Sequence, residues 1–177
     1  MVTRSYYTPN HMAVEHIRDG QLMPHQVAAL VWARHMKPGQ GRVLADAVGA
    51  GKTVTTFALI DTVLTANPDA NILILAPANL VDQWMIELAK FLPNVTVRNL
   101  AKPRRKNRVI DPRIWVASHE SSHKIGRNNW DLAVVDELAQ IGKIAVTGNA
   151  PNYGHSKKKG LTAIANTMPA NGLIFGL

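Results

Sequence analysis

The sequence predicts an α/β protein whose mostly parallel sheet carries helices on both faces. Three observations point to this fold class: the apolar runs are short, they are rich in Val, Ile and Leu, and stretches of helical periodicity separate them. Because 177 residues with 46% hydrophobic content can bury one sizeable core, we expect a single domain. The predicted strands, in chain order, are Val43–Ala45, Ile72–Ala76, Val95–Arg98, Ile114–Ala117, Leu132–Val135 and Leu173–Phe175.

Helices are predicted between these strands. The helix predicted for Lys52–Leu64 opens directly from a loop that contains glycines. The helix predicted for Leu80–Phe91 carries an apolar stripe that we assign to the core, made of Leu80, Trp84, Leu88 and Phe91. Helical patterns also cover Pro24–Met36 and Ser156–Met168, whereas Gly142–Gly154 is rich in Gly, Asn and Pro and is predicted to be a loop.

Composition limits the classes of function. The chain has no cysteine, which excludes disulfide scaffolds and thiolate metal sites. Its start lacks the apolar region of a signal peptide, and no apolar run reaches the ~20 residues that span a bilayer. We therefore expect a cytoplasmic protein with no membrane partner. The formal net charge of +8 favours polyanionic partners such as nucleic acid.

The stretch VLADAVGAGKT, which ends at Thr53, resembles a phosphate-binding loop that has Asp46 in place of the first glycine. Gly49 and Gly51 allow backbone N–H groups to close around phosphate oxygens, because side chains there would block the approach. Lys52 then reaches the terminal phosphates, Thr53 offers a hydroxyl to Mg²⁺, and the next helix points its positive end at the anion. The expected nucleotide contacts are Gly49, Ala50, Gly51, Lys52, Thr53 and Val54.

A second motif, WDLAVVDELA, places Asp136 and Glu137 at the carboxyl end of an apolar strand. Ligands of open parallel sheets bind at that edge. An aspartate there can hold Mg²⁺ through its water shell, while the adjacent glutamate polarises the attacking water. Together with the glycine loop, this motif predicts Lys52, Asp136 and Glu137 as catalytic residues, and Thr53 and Asp136 as the residues that hold Mg²⁺.

Two further motifs each have two interpretations. Gln26, in LMPHQ, has an amide that can contact the adenine edge, but it also suits the exposed face of a helix, and the residues alone leave both interpretations open. HESSH, from His119 to His123, satisfies the H-E-x-x-H zinc pattern. Its position between a strand and Gly126 leaves little room for a helix that could seat zinc, so a zinc protease is disfavoured.

Taken in order, LMPHQ, VLADAVGAGKT, ILILAPANLVDQWMIELAKF and WDLAVVDE resemble the first RecA-like lobe of superfamily 2 helicases and translocases. The resemblance is closest to the Swi/Snf-type branch and its bacterial helicase-like members. It implies a RecA-like P-loop domain over residues 21–177, after a lead-in of residues 1–20. It also implies ATP and Mg²⁺ as cofactors, adenine contact by Gln26, and orientation of the hydrolytic water by Glu137.

The same resemblance implies duplex DNA as a partner and an ATPase that moves along it in a two-lobe protein. The segments between the motif that ends at Phe91 and the one that contains Asp136 would follow the DNA backbone. The candidate contacts are Lys102, Arg104, Arg105, Lys106, Arg108 and Ser118.

The chain departs from the family pattern in three places. Leu138 and Ala139 follow Glu137, where the pattern usually has alanine and histidine, and Ala47 replaces a common acidic residue. The chain also ends at Leu177, before the second RecA-like lobe and its arginine fingers, which we expect to leave the strand Leu173–Phe175 at an edge of the sheet. A lone lobe should turn over ATP weakly or not at all. The alternatives are a naturally truncated nucleotide-dependent adaptor or inhibitor that binds DNA or protein, and the motor subunit of a restriction or phage-defence system.

Overall fold

The computed structural model describes residues 22–35, 41–47, 49–100, 102, 112–125, 130–138 and 172–177. Three α-helices lie within these residues: α1 (Pro24–Arg34), α2 (Lys52–Ala66) and α3 (Val81–Phe91). Two 3₁₀ segments cover Ala78–Leu80 and His119–Lys124. The six described strands are β1 (Gly41–Val43), β2 (Ile72–Ala76), β3 (Val97–Asn99), β4 (Ile114–Ser118), β5 (Leu132–Val135) and β6 (Leu173–Gly176).

The six strands form one sheet in the order β1-β6-β5-β2-β4-β3. Every neighbouring pair is parallel, so the segments that follow the strands all leave from the same edge. β1 and β5 are separated only by β6, and because neighbouring strands lie ~4.8 Å apart, these two strands lie about 10 Å apart. The sheet thus brings the segment after β1 near the segment after β5.

Both faces of the sheet are buried, as the uninterrupted apolar strands predict. Ile72 and Ile74 of β2 belong to one hydrophobic cluster, and Leu73 and Leu75 belong to a second cluster on the opposite face. All three described helices pack into the first cluster, with Leu30 from α1, Phe57 from α2 and Leu88 from α3. The second cluster includes Trp130, whose ring meets that of Trp115 edge-on at 5.1 Å between centroids.

The sequence locates the central strands better than the outer ones. β2 and β5 have the predicted bounds, but β1 begins and ends two residues earlier than predicted. Its ladder covers Gly41 to Val43, because these are the residues that β6 pairs with. β3 begins two residues later than predicted, because the N–H of Val95 donates to Leu92 in a turn. An apolar run indicates which residues are buried. The ends of a strand depend instead on which residues form hydrogen bonds with the neighbouring strand.

The three described helices lie where the sequence predicts them, with ends that differ by one or two residues. α1 ends at Arg34 instead of Met36, and α2 continues to Ala66. α3 begins at Val81, because the preceding residues form a 3₁₀ turn in which the N–H of Leu80 donates to Pro77. No helix in the described ranges is long and apolar enough to cross a membrane. The predicted helix Ser156–Met168 and the predicted loop Gly142–Gly154 lie outside the described residues.

The prediction that the strand Leu173–Phe175 lies at an edge of the sheet is wrong. β6 pairs with β1 on one side, through Gly41 and Ile174, and with β5 on the other, through Val134 and Phe175. Phe175 is fully buried as a result. The order of strands depends on how the helices pack across the sheet, and the order along the chain does not reveal it.

Candidate nucleotide site

The glycine loop has the backbone conformation that a phosphate cradle needs. Gly49 has φ 84° and Gly51 has φ 79°, values in the left-handed region that side-chain-bearing residues rarely adopt. Apart from the adjacent residues, no heavy atom in the described part of the chain lies within 4 Å of the position that a Cβ on Gly49 would occupy. Gly51 directly precedes α2, so the first N–H groups of that helix have no acceptor within the helix and can bind an anion.

The Lys52 ammonium is held against the backbone of the loop. Its Nζ donates to the carbonyl oxygens of Asp46, at 2.8 Å, and Ala47, at 3.3 Å. The side chains of Asp46 and Ala47 are exposed. The loop therefore uses carbonyl oxygens at these two positions, which explains how aspartate can stand where the strict motif has glycine.

The LMPHQ segment is attached directly to the loop. The Gln26 amide nitrogen donates to the carbonyl oxygen of Gly51 at 3.2 Å, and its amide oxygen accepts from the N–H of Met23 at 2.9 Å. Nε2 of His25 lies 2.9 Å from the carbonyl oxygen of Ala50. Gln26 is buried, so it does not lie on an exposed helix face. It holds the loop in place, and adenine contact by this residue stays a prediction.

Asp136 and Glu137 form a turn at the end of β5. The Asp136 N–H donates to Leu75 of β2 at 2.8 Å, which continues the sheet ladder by one residue. One carboxylate oxygen of Asp136 accepts from the N–H of Glu137 at 2.9 Å. Glu137 is exposed and has φ 52°, the only positive φ of a non-glycine residue in the described part of the chain. Such conformations cost about 1–3 kcal/mol and are common at functional sites.

The other carboxylate oxygen of Asp136 accepts from the indole N–H of Trp84 at 2.8 Å. Trp84 belongs to α3, and its side chain is buried as the core stripe predicts. Its ring meets that of Phe57 edge-on, with 5.7 Å between the ring centroids. Because Phe57 lies on α2, Trp84 connects the acidic turn with the helix that begins at the glycine loop.

The assembled residues fit a nucleotide with Mg²⁺. β1 leads into the glycine loop and β5 into Asp136, and both leave the same edge of the sheet with one strand between them. The open space at Gly49, the start of α2 and the Lys52 ammonium match the phosphates. The hydroxyl of Thr53 and the carboxylate of Asp136 are the oxygen ligands that Mg²⁺ prefers.

The candidate DNA contacts are described only in part. Lys102 forms a salt bridge with Asp82 at 3.6 Å, in which both side chains are largely exposed. Ser118 ends β4, and its hydroxyl accepts from the N–H of Ser121 and caps the 3₁₀ segment that follows. Their role at DNA stays a prediction. Arg104, Arg105, Lys106 and Arg108 lie outside the described residues.

The structure also speaks against a zinc site at HESSH. The segment is a 3₁₀ helix, whereas the H-E-x-x-H zinc pattern needs an α-helix to bring positions i and i+4 to one face. His119 is buried. Within the described ranges, no group of three or more His, Cys, Asp or Glu side chains is arranged to hold a metal ion.

A family model described as SNF2-related domain matches residues 25–149. The chain belongs to the SNF2-related domain family. The matched stretch of this SNF2-related domain contains Gln26, the glycine loop, Trp84 and the Asp136–Glu137 turn. The fold, the family and the order of motifs thus agree with the resemblance seen in the sequence.

Curated relatives are similar to this SNF2-related domain over part of its length. An uncharacterized ATP-dependent helicase of Mycoplasma pneumoniae is 35% identical over 89 residues, which cover 49% of this chain and 9% of the relative. The human DNA excision repair protein ERCC-6-like is 27% identical over 139 residues, which cover 68% of this chain and 11% of the relative. The chain thus spans about a tenth of the length of these relatives.

Solved structures confirm the fold. The SWI2/SNF2 ATPase core of Sulfolobus solfataricus in complex with dsDNA has a TM-score of 0.71 at 20% identity, and the alignment covers 97% of this chain and 34% of that one. The structure of the same protein's ATPase core domain has a TM-score of 0.69 at 22% identity, over 99% of this chain and 34% of that one. The α/β, RecA-like fold predicted from the sequence is therefore confirmed.

Two residues of this site are not evident from the sequence. His25 has no metal-ligand spacing, yet it contacts the loop at Ala50. The apolar stripe predicts only a core role for Trp84, yet its indole donates to Asp136. The position of His25 next to Gln26 could have indicated that His25 contacts the loop. The indole N–H of Trp84 in an apolar stripe could have indicated a polar partner, because a buried indole usually finds an acceptor.

Proposed function

We propose that this chain is the ATP-binding lobe of an ATP-dependent DNA translocase. A second RecA-like lobe, in the same longer chain or in a partner, would complete the ATP cleft. The observation that carries the proposal is the common sheet edge at which the glycine loop after β1 meets the Asp136–Glu137 turn after β5. An ATPase needs a phosphate cradle and an acidic pair side by side, and this edge supplies both. The substrates ATP and DNA also favour a cytoplasmic location.

The residues of the loop would bind the triphosphate. Backbone N–H groups from Gly49 to Val54 donate to phosphate oxygens, and Lys52 exchanges its bonds to the Asp46 and Ala47 carbonyls for bonds to the terminal phosphates. Anionic oxygens are stronger acceptors for an ammonium than neutral carbonyl oxygens. Gln26 keeps the carbonyl of Gly51 turned toward α1, which stabilises the left-handed conformation of the loop.

The acidic turn would supply the hydrolytic chemistry. Thr53 and Asp136 hold Mg²⁺, which when bound neutralises charge on the phosphate oxygens. Glu137 orients the attacking water and accepts a hydrogen bond from it. Its exposure and its left-handed backbone direct the residue away from the core.

The polymer substrate would be duplex DNA. The net charge of +8 supports a polyanionic partner, and a structurally similar protein was solved in complex with dsDNA. ATP binding would close two lobes on the duplex, and hydrolysis would release them. Arginines of the second lobe would stabilise transition-state charge, a contribution of ~10³–10⁵ in rate.

The test is an ATPase assay of the full-length protein with and without duplex DNA, together with nucleotide binding. Lys52→Ala should lose ATP binding or turnover, because it removes the ammonium that we assign to the terminal phosphates. Glu137→Gln should bind ATP but lose hydrolysis. Lys90→Ala, which removes an exposed lysine of α3, is the control and should behave as wild type. Undiminished DNA-stimulated turnover in both site variants would contradict the proposal.

A second candidate function is a nucleotide-dependent adaptor or inhibitor that binds DNA or protein without efficient turnover. It is favoured by the sequence after Glu137, where Leu138 and Ala139 stand in place of the alanine and histidine that the family pattern usually has. The Leu138 N–H donates to Leu177, and its side chain lies against Gly176, so the motif is fastened to β6. ATP binding with no DNA-stimulated turnover in the full-length protein would support the adaptor over the motor.

A further inference from the structure

We propose that Trp84 is a positioning residue for the magnesium site: its indole N–H fixes the Asp136 carboxylate, and its ring ties that carboxylate to the helix of the glycine loop. This inference rests on the proposed function, because it concerns the same nucleotide site. The inference adds Trp84 of α3 to this site. From the apolar stripe of α3 alone, Trp84 would be assigned only to the core.

The hydrogen bonds of Asp136 leave room for a metal. A carboxylate has about four lone-pair sites. One oxygen accepts from the N–H of Glu137 and the other accepts from Trp84, at 2.9 and 2.8 Å. About two sites thus remain for Mg²⁺ or its water shell. The two bonds fix both oxygens, whereas the terminal torsion of a free aspartate varies widely.

Trp84 is itself rigid enough to act as an anchor. Its side chain is only 4% exposed. The edge-on contact with Phe57 has an interplanar angle of 75°, and Phe57 stacks in turn on Phe91 at 5.0 Å between centroids. Phe57 is fully buried, so movement of the indole would require repacking of α2 and α3 together.

The topology explains why α3 supplies this donor. β2 is the direct neighbour of β5 in the sheet, and Leu75 of β2 accepts from the N–H of Asp136. α3 begins shortly after β2 ends, so its first turn lies at the edge from which Asp136 projects. Trp84 is the fourth residue of α3. The Trp84 indole therefore reaches the Asp136–Glu137 turn from the helix that follows β2, the neighbour of β5.

The test compares Trp84→Phe with wild type and with Trp115→Phe, a control in which a tryptophan on the opposite face of the sheet is changed in the same way. Binding of fluorescent mant-ATP is titrated in EDTA and over a range of Mg²⁺ concentrations. Trp84→Phe keeps a ring against Phe57 but has no N–H. Its affinity in EDTA should equal that of wild type, and its apparent affinity for Mg²⁺ should fall about 10- to 100-fold. Trp115→Phe should show the Mg²⁺ response of wild type.

A second measurement needs neither nucleotide nor metal. The indole N–H signals of the 4 tryptophans are recorded in a ¹⁵N–¹H spectrum, and the Trp84 signal is assigned by its loss in Trp84→Phe. Asp136→Ala should move this signal upfield and leave the others in place. If the Trp84 signal does not move, the hydrogen bond does not exist in solution and the inference is wrong.

Each remaining outcome decides the matter. If Trp84→Phe responds to Mg²⁺ as wild type does, the inference is overturned while the proposed function stands. If Trp84→Phe unfolds or also loses affinity in EDTA, replacement of Trp84 by the isostere β-(3-benzothienyl)alanine decides: loss of the Mg²⁺ response alone supports the inference, and a wild-type response overturns it. If wild type itself binds no nucleotide, the proposed function and this inference fail together, whatever the tryptophan signals show.

Discussion

At the scale of single residues, Gly51 is where the loop and the LMPHQ segment depend on each other. A Cβ at Gly51 would clash with the amide nitrogen of Gln26, and φ at this position is 79°. A side chain would therefore strain the backbone and displace the glutamine at once. Glycine at position 51 is therefore needed for two reasons: it leaves room for the Gln26 amide, and it allows the phosphate to approach the backbone.

Gly51→Ala should lower both stability and nucleotide affinity. The left-handed backbone alone costs about 1–2 kcal/mol for a residue with a Cβ, and displacement of Gln26 adds to this cost. Thermal denaturation and nucleotide titration measure the two effects. Gly41→Ala is the matched control, because a Cβ there meets Ile174 at an ordinary 3.6 Å.

A double variant separates the two causes. If the clash with Gln26 matters, Gly51→Ala should cost less stability in a Gln26→Ala background than in the wild-type background. Equal costs in the two backgrounds would assign the whole effect to the backbone of Gly51 and would contradict a clash with Gln26.

The residues that can be identified from the sequence are those whose chemistry is local. Gly49, Gly51 and Lys52 are recognisable because a strand, a glycine turn and a helix follow one another directly in the chain. The bond between Trp84 and Asp136 joins residues far apart in sequence. Nothing near either residue in the chain predicts it, because it depends on how α3, which packs on β3 and β4, brings its first turn to the end of β5. For Gln26 the sequence leaves two roles open, and its bond to Gly51 is evident only in the structure.

At the scale of secondary structure elements, α3 shows how one helix serves both core and site. Its buried face carries Trp84 and Leu88, while Ile86 on another face is 70% exposed. The hydrophobic periodicity of the segment predicted this division. The same face that packs on the sheet also delivers the donor to Asp136, so the position of α3 matters for chemistry as well as for stability.

Leu88→Ala should lower the free energy of unfolding by about 2–5 kcal/mol, because it leaves a cavity in a fully buried region. Ile86→Ala, a change of similar size on the exposed face, should stay within about 0.5 kcal/mol of wild type. Urea denaturation of both variants makes the comparison. Equal losses would show that α3 is not packed as described.

The strands were predictable in number and type but not in order. Uninterrupted apolar runs identified β2 and β5 because both faces of a central parallel strand are buried. The ends of β1 and β3 shifted because their partners determine the ladder. The interior position of β6 was not predictable, since neighbours in a parallel sheet are set by crossover connections and not by chain order.

At the scale of the whole molecule, the positive charge should govern binding to DNA. Replacement of Arg104, Arg105, Lys106 and Arg108 by alanine should weaken duplex binding for all sequences alike. The slope of log K against log salt should flatten by about 0.9 for each DNA phosphate that the variant no longer neutralises. Fluorescence anisotropy with labelled duplex DNA at several salt concentrations measures both quantities.

The control for this experiment is the replacement of Lys157, Lys158 and Lys159 by alanine. This lysine run lies closer to the end of the chain than the acidic pair, outside the segments that the family resemblance assigns to DNA. If both sets of changes flatten the salt dependence equally per charge removed, binding reflects net charge alone. The assignment of Lys102 to Arg108 to the DNA path would then be wrong.

The place of β6 between β1 and β5 has a consequence for biosynthesis. Gly41 pairs with Ile174, so the strand that separates the glycine loop from the acidic turn leaves the ribosome long after both of them. Until β6 enters the sheet, β1 has no described neighbour and the loop is not yet at its working distance from Asp136. Ability to bind nucleotide should therefore emerge only after β6 has been synthesised, and abruptly, when this one strand is inserted.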